Sequence, residues 1–303
     1  MGNYSIGLDL GGTNLRAAAI DRSGKILGRV SGSTNLSEGR EAVIADMANA
    51  IAALREEFGR AGLEGVGVGV PGFIVIKTGV VTDSPNLPFF HNFPIRDELE
   101  ARIGARVMLE NDANAAALGE KWMGAGRNVD DLVLLTLGTG IGGGIICGGR
   151  VLHGYVGMAG EIGHLTVNPT GNPCGCGNRG CLEKHASATA VTTMARLVGL
   201  GESLSAEDVF KLAAAGDAKA QEIFSVIGEN LGIALANLTN IFNFPLYLLS
   251  GGLLGAWDFF APAMLNECRR RSPIYRATGT RIEKAELGNL AGLYGAAFLP
   301  FLE

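Results

Sequence analysis

The sequence is short of aromatic and charged residues. Phe, Trp and Tyr make up 7% of its 303 residues, with only two Trp, and Asp, Glu, Lys and Arg together make up 18%. Basic residues are the scarcer sign, 25 against 30 acidic, for a net charge of −5. Without a clustered Lys/Arg surface the chain offers no electrostatic footprint for nucleic acid or an anionic membrane. The only dense basic run, Arg269 to Arg271, reads as a solvated helix face. Long apolar runs are also missing. The best candidate, Leu246 to Leu265, is broken by Gly251-Gly252, Asp258 and Pro262, so it reads as a buried strand, a turn and a helix rather than a bilayer span. The opening MGNYSIGLDLGGT has neither a basic n-region nor a small-residue cleavage site, and a cytoplasmic protein is expected. Five cysteines in a chain of this length do not make a disulfide scaffold.

Apolar residues, at 47%, suffice for a sizeable core, and glycine is in excess: 46 residues, about twice the usual share. At this length two cores with a cleft between them are expected. The glycines have no collagen-like period and suggest many tight turns where backbone comes close to something. Two segments share one outline: SIGLDLGGTNLRAAAIDRSGKILGRV near the start and LVLLTLGTGIGGGIICGGRVLHGYV from Leu132. Each reads as strand, Gly-rich turn, strand, Gly turn, strand. Such hairpins can aim backbone N–H groups at phosphate oxygens, and a pair could grip a polyphosphate, although each alone is also a plain tight hairpin. No Gly-Lys-Ser/Thr follows either, and GTGIGGG leads into a strand, so neither the P-loop nor the Rossmann pattern applies.

Between and after the repeats, periodicity alternates. Helices are expected over residues 41–62, in RDELEARIG and NAAALGEKW, largely over 186–243 with a break near GLGESLS, through Cys268, and in LAGLYGAAFLPFL; strands are expected in GVGVGVPG, RVMLEND and PLYLLSGG. Strands flanked by helices in this order indicate an α/β fold with helix-covered sheets.

Several residues could carry chemistry. Asp112, in LENDANAA, sits where an apolar strand meets a helix, either as a catalytic carboxylate at a strand's carboxyl end or, with Asn111, as a helix cap. Asp9, at the end of the first strand, could hold the Mg²⁺ of a nucleotide through water or cap its own turn. In GHLTVNPTGNPCGCGNRGCLE, His164, Cys174, Cys176 and Cys181 offer one imidazole and three thiolates, the set of a closed structural zinc site with no position left for water. Glu161 and Glu183 flank this cluster and would be positioned by whatever fixes the loop; surface carboxylates of no special role are the plainer reading.

These motifs together resemble the ROK sugar kinases, in particular their bacterial glucokinase branch. The resemblance covers essentially the whole chain: DLGGTN, VPG at 70–72, SPNLP at 84–88, ENDANAAALGE at 110–120, LGTGIGGG at 137–144, AGEIGH at 159–164, CGCGNRGCLE at 174–183 and SGG at 250–252. It implies an actin-like, ribonuclease H-type ATPase fold with a smaller domain of residues 1–118 plus 289–303 and a larger one of 119–288. It implies an ATP-dependent glucokinase acting on the sugar's 6-hydroxyl, with Asp112 as general base. Gly72, Asn86, Asn111, Glu161, His164 and Glu183 would line the sugar. Gly11, Gly12 and Thr13 would face phosphate with Gly138, Thr139 and Gly140; Gly251 and Gly252 would lie by the nucleoside, and Asp9 would serve Mg²⁺. Related hexoses (N-acetylglucosamine, N-acetylmannosamine, mannose, fructose) are the alternative substrates, and a non-catalytic sugar sensor related to the family's repressors is a further one. A homodimer or dimer of dimers is the family's habit. Many members have Lys after GGT where this chain has Asn14, and Arg16, expected on the same side of its strand as Asn14, is given no role.

Overall fold

The computed structural model describes residues 2–12, 14–34, 36–84 and 86–302. In chain order its elements are β1 (Tyr4–Leu10), β2 (Asn14–Asp21), β3 (Ile26–Ser33), α1 (Arg40–Phe58), β4 (Leu63–Val70), β5 (Phe73–Val75), β6 (Val80–Asp83), α2 (Ile95–Ile103), β7 (Val107–Asn111), α3 (Asp112–Met123), β8 (Leu132–Leu137), β9 (Ile141–Cys147) and β10 (Arg150–Val151). They continue as α4 (Glu183–Ala186), α5 (Ala188–Leu197), α6 (Ala206–Ala214), α7 (Ala218–Phe242), β11 (Leu246–Ser250), α8 (Trp257–Arg271), α9 (Pro273–Ala277), β12 (Arg281–Lys284) and α10 (Ala291–Phe298). The chain divides into two compact units, Met1–Asp131 with Gly144–Gly160 and Ala285–Glu303, and Leu132–Gly143 with Glu161–Lys284.

The first unit holds a sheet of order β3-β2-β1-β4-β7, antiparallel across β3, β2 and β1 and parallel across β1, β4 and β7. The second sheet has order β10-β9-β8-β11-β12, with β8, β11 and β12 parallel; β9 begins in the second unit and ends in the first, where it pairs antiparallel with β10. By position in its repeat, each sheet reads third, second, first, fourth, fifth strand. The two matching sequence outlines thus become two matching sheets, and the α/β arrangement is the actin-like, ribonuclease H-type one expected.

In the first unit one face of the sheet is filled by large side chains, with Ile6, Leu8 and Val68 against Ile44, Met47, Ile51 and Leu54 of α1, all fully buried. The opposite face uses close approach. A Cβ at Gly7 would lie 2.3 Å from the carbonyl oxygen of Leu293 and one at Gly67 1.8 Å from that of Ala296, so α10 lies directly on the backbone of β1 and β4. The same helix meets α3 through glycine on both sides: a Cβ at Gly119 would sit 2.1 Å from Ala291 O, and one at Gly295 1.7 Å from Ala115 O. In the second unit α7 does likewise through Gly228 and Gly232, whose added Cβ atoms would lie 2.1 and 2.5 Å from the carbonyl oxygens of Phe260 and Met264 in α8. The expectation that glycine marks tight turns is therefore corrected in part, because these six positions lie inside strands and helices, where the absent side chain admits a neighbouring backbone.

Other departures are local. α1 stops at Phe58, with Gly59 bonding back to Arg55 O. Strands β5, β6 and β12 and helix α9 were not expected. Arg269 to Arg271 form an exposed helix face at the end of α8, as expected, and Arg270 and Arg271 also pair with Glu267 near the helix's negative pole. Among the described residues no helix is long and apolar enough to cross a membrane.

Gly295→Val forces a side chain into the Ala115 carbonyl. A loss of at least about 3 kcal/mol is expected, by analogy with severe overpacking, read as a shift of the urea midpoint against wild type.

Candidate active site

In the first unit, three neighbouring parallel strands end on the same edge of the sheet, where α/β proteins gather ligands. β1 delivers Asp9, the turn after β4 delivers Gly72, and β7 runs directly into α3 through Asn111 and Asp112. The register pairs Asp9 with Gly69 and Gly69 with Glu110, so the two carboxylate-bearing strand ends lie two strand spacings, roughly 10 Å, apart.

Asn111 caps α3: its side-chain oxygen accepts from the backbone N–H groups of Ala113 (2.9 Å) and Asn114 (3.2 Å), while its Nδ2 donates to Gly72 O (3.2 Å). The capping reading of this junction is thus correct for Asn111, and it leaves Asp112 as the first helical residue. One Asp112 oxygen accepts from Ala113 N at 2.9 Å. Burial pushes the Asp112 carboxyl above the usual aspartate range, against the pull of its hydrogen bonds from Ala113, its own N–H and Asn111. Gly72 has φ +119, and a Cβ there would lie 2.4 Å from Asp83 O, so only glycine makes this turn. Ser84 Oγ donates to Pro71 O at 2.6 Å, drawing the exposed Asn86 segment alongside, and a Cβ at Gly12 would come within 3.7 Å of Asn86 O.

Asp9 is pushed up to about 6, first by burial and then by the charge of Asp112, with Arg16 pulling the other way. Arg16 is its cross-strand partner, with NH1 3.7 Å from Asp9 Oδ2. The residue left without a role therefore faces the candidate Mg²⁺ carboxylate. Gly292, at the start of α10, keeps that carboxylate clear, since a Cβ there would sit 3.1 Å from Oδ1. In the adjoining turn Gly11 N–H donates to Asn14 O at 2.8 Å and Thr34 Oγ1 to Gly11 O at 2.9 Å. Thr13 lies outside the described residues.

In the second unit, the ends of β8 and β11 are parallel neighbours, with Thr136 paired to Ser250. Gly138, Thr139 and Gly140 follow one strand; Gly251 and Gly252 follow the other. Gly251 has φ +100, and a Cβ on it would meet Leu137 O at 2.3 Å. A cavity of about 480 Å³ opens between these turns, lined by Gly138, Thr139 and Gly252 with Ala188, Phe210 and Gly255, and it has the apolar walls and size suited to a nucleobase. Phe210 was not foreseen, and its only signal is an apolar position on the buried face of α6.

The cysteine loop brings His164, Cys174, Cys176 and Cys181 together, with one ligand atom from each all lying within 4.8 Å of one another. His164 Nδ1 lies 3.7 Å from Cys174 Sγ, and Cys176 Sγ lies 3.7 Å from Cys181 Sγ. Ligands bound tetrahedrally at about 2.3 Å stand about 3.8 Å apart, so this donor set fits zinc. Tight turns make the approach possible. Cys174 N–H donates to Asn178 O at 2.8 Å, and a Cβ at Gly180 would lie 1.6 Å from Asn168 O. With Nδ1 turned to the thiolates, His164 Nε2 faces Glu161 Oε2 at 4.0 Å. Glu183, two residues past Cys181, accepts from Ile141 N–H at 3.2 Å and crowds Gly140, where a Cβ would be 2.2 Å from its Oε2. Glu183 therefore joins the metal loop to the glycine turn after β8.

Asp9→Asn tests the electrostatics. A carboxyl held near 6 in the folded chain and near 4 in the unfolded one binds its proton more tightly when folded, so ionised Asp9 costs stability that grows from about pH 4 to 6. The variant is expected to stabilise the substrate-free protein by roughly 1–3 kcal/mol at pH 7.5 and by nothing below pH 4, measured by urea denaturation.

The family model described as the ROK family matches residues 5–301. A glucokinase of Thermotoga maritima is 40% identical, over 96% of this chain and 95% of its own. A ROK hexokinase from Thermus thermophilus superposes with a TM-score of 0.90 at 39% identity, covering 99% of this chain and 98% of its own. A ROK family glucokinase from Streptomyces griseus, solved in complex with glucose and AMPPNP, gives 0.82 at 33% identity, over 99% and 100% of the two chains.

Proposed function

The chain belongs to the ROK family, and on that premise we propose that it is an ATP-dependent glucokinase that converts glucose to glucose 6-phosphate. The observation that carries the reading is Asp112, a half-buried carboxylate with raised proton affinity at the first residue of α3, the helix that Asn111 caps. The Streptomyces griseus relative supports the substrates, since it holds glucose and AMPPNP, a nucleotide that stands in for ATP.

In the proposed reaction Asp112 accepts the proton of the sugar's 6-hydroxyl as that oxygen bonds to the γ-phosphorus, while the bond from phosphorus to the β,γ-bridging oxygen breaks and ADP leaves. Phosphoryl transfer asks mainly for positioning and charge stabilisation. On this reading Asn86, Asn111, the backbone at Gly72, Glu161, His164 and Glu183 would contact the sugar, Gly11, Gly12, Thr13, Gly138, Thr139 and Gly140 would contact phosphate, and the cavity beside Gly252 would take the nucleoside, with Gly251 next to it. Asp9 would hold, through water, the Mg²⁺ that accompanies the nucleotide, and that ion would neutralise phosphate charge. Hydroxyl-directed carboxylates and amides discriminate against sugars that leave one of them unpaired.

The zinc ligands would be His164 Nδ1, Cys174, Cys176 and Cys181. Four protein ligands leave no open position, so the ion serves as a staple that fixes Glu161 and Glu183.

A coupled assay across hexoses and phosphate donors tests the function: glucose with ATP is expected to give the highest kcat/KM, and no phosphorylation of any hexose removes the reading. Asp112→Asn is expected to lower kcat by roughly 10²- to 10⁴-fold. Because the base must be ionised, wild-type kcat/KM is expected to fall as pH drops through a value above the ordinary aspartate range. For the metal, Cys176→Ser is expected to abolish zinc in elemental analysis, lower Tm and raise KM for glucose more than KM for ATP; full activity in metal-free protein overturns the assignment.

A further inference from the structure

Glu110 is 1% exposed, one residue before the cap of α3 and two before Asp112. A carboxylate this deep needs its lone pairs filled. Oε1 accepts from Asn111 N–H at 3.0 Å and from Asn114 Nδ2 at 3.1 Å; Oε2 meets His153 Nε2 at 2.6 Å. The first two bonds hold the peptide at which β7 becomes α3 and the first turn of that helix. The third comes from a residue 43 positions later, just past β10. The hydrogen bond raises the proton affinity of His153 above the usual histidine value, so the contact is charge-assisted and short.

His153 is itself anchored. Its carbonyl accepts from Ala159 N–H at 3.2 Å, closing a loop whose glycines 154 and 157 have φ +67 and +103. Its ring is 36% exposed, whereas the carboxylate it meets is 2% exposed, so the imidazole is the accessible lid on a buried anion. Without that donor, Oε2 would be a buried charge with a missing partner, and the carboxylate would turn to recover one, taking the Asn111 peptide with it.

We infer that His153 is a positioning residue for phosphoryl transfer: through Glu110 it fixes the Asn111 peptide and the first turn of α3, and thereby the direction from which Asp112 meets the sugar hydroxyl. The inference rests on the reading of Asp112 as the base. A misplacement of about 1 Å at a reacting group suffices to cost about 10²-fold in rate. A pair that merely stabilised the fold would lower Tm without a selective effect on kcat.

The experiment compares His153→Ala, His153→Gln and Asp112→Asn with wild type in steady-state kinetics with glucose and ATP, alongside Tm. His153→Ala is expected to lose roughly 10- to 100-fold in kcat, with both KM values within about threefold and Tm within a few degrees of wild type. His153→Gln, whose amide donates from nearly the place of Nε2, is expected to recover most of that loss. Wild-type kcat in His153→Ala, or a loss that follows Tm and is not rescued by His153→Gln, overturns the inference. Asp112→Asn separates the two failures: wild-type kcat in that variant removes the base assignment, whereas wild-type kcat in His153→Ala beside a crippled Asp112→Asn removes the positioning role alone.

Discussion

The first unit depends on one constraint, the direct seating of α10 on backbone. Gly7 and Gly67 present bare strands to it, and Gly119 and Gly295 let it touch α3 without side chains between. Packing through side chains adjusts to small changes of volume; carbonyl against Cα does not. The height and rotation of α3 above the sheet are therefore set by backbone contact, and with them the place where Asp112 leaves the strand edge. Gly292, on the same helix, clears the space beside Asp9. The helix α10 thus packs on the element carrying one carboxylate and lies close beside the other.

Against this rigid frame the site's electrostatics are unfavourable when no substrate is present. Asp9 and Asp112 each have raised proton affinity, burial being the first cause in both, and the charge of Asp112 adds to the shift of Asp9. Arg16, partly exposed at 3.7 Å, offsets only part of this. The sheet pairing of β1, β4 and β7 holds the two carboxylates at neighbouring strand ends, which leaves a local deficit of positive charge. Perturbed carboxylates of this kind are characteristic of reactive sites. The contrast with Glu110 is instructive: it is buried more deeply, yet its oxygens meet two amide donors and an imidazole, so it is a satisfied anion and not a reactive one.

Legibility in the sequence followed the same division. The strand-turn-strand repeat was readable because phosphate-type turns need glycine at fixed places, and its two outlines turn out to open two sheets of one strand order. His164, Cys174, Cys176 and Cys181 were readable because thiolates and imidazole are rare and their chemistry is local. Asp112 was readable only as an alternative between cap and catalyst; the structure gives the cap to Asn111. Gly67 and Gly119 fell inside an expected strand and an expected helix, but the close approach they permit was not readable, since one chain segment carries no sign of the backbone that will press against it. β5, β6 and β12 are three or four residues long, and the last, RIEK, is mostly polar because it closes the parallel edge of its sheet. The Glu110 to His153 contact has no local signature at all, because its partners are 43 residues apart.

The two units fix their functional side chains by different means, and the difference follows from what surrounds each one. Asp112 stands at the junction of a strand and a helix, both anchored in a core, so packing and one cap suffice to aim it. Glu161 and Glu183 stand on either side of a loop of about twenty residues whose only regular pieces are a 3₁₀ turn and isolated bridges between Thr166 and Cys181 and between Pro173 and Arg179. Such a loop buries too little apolar surface to hold a geometry on its own. A metal held by the four ligand atoms, which lie within 4.8 Å of one another, would supply the missing constraint, and it would do so between the two glutamates in sequence, with His164 turned so that its second nitrogen faces Glu161. A metal at the cysteine cluster would thus give a small loop the cross-link that does there what glycine-seated helices do elsewhere in the chain.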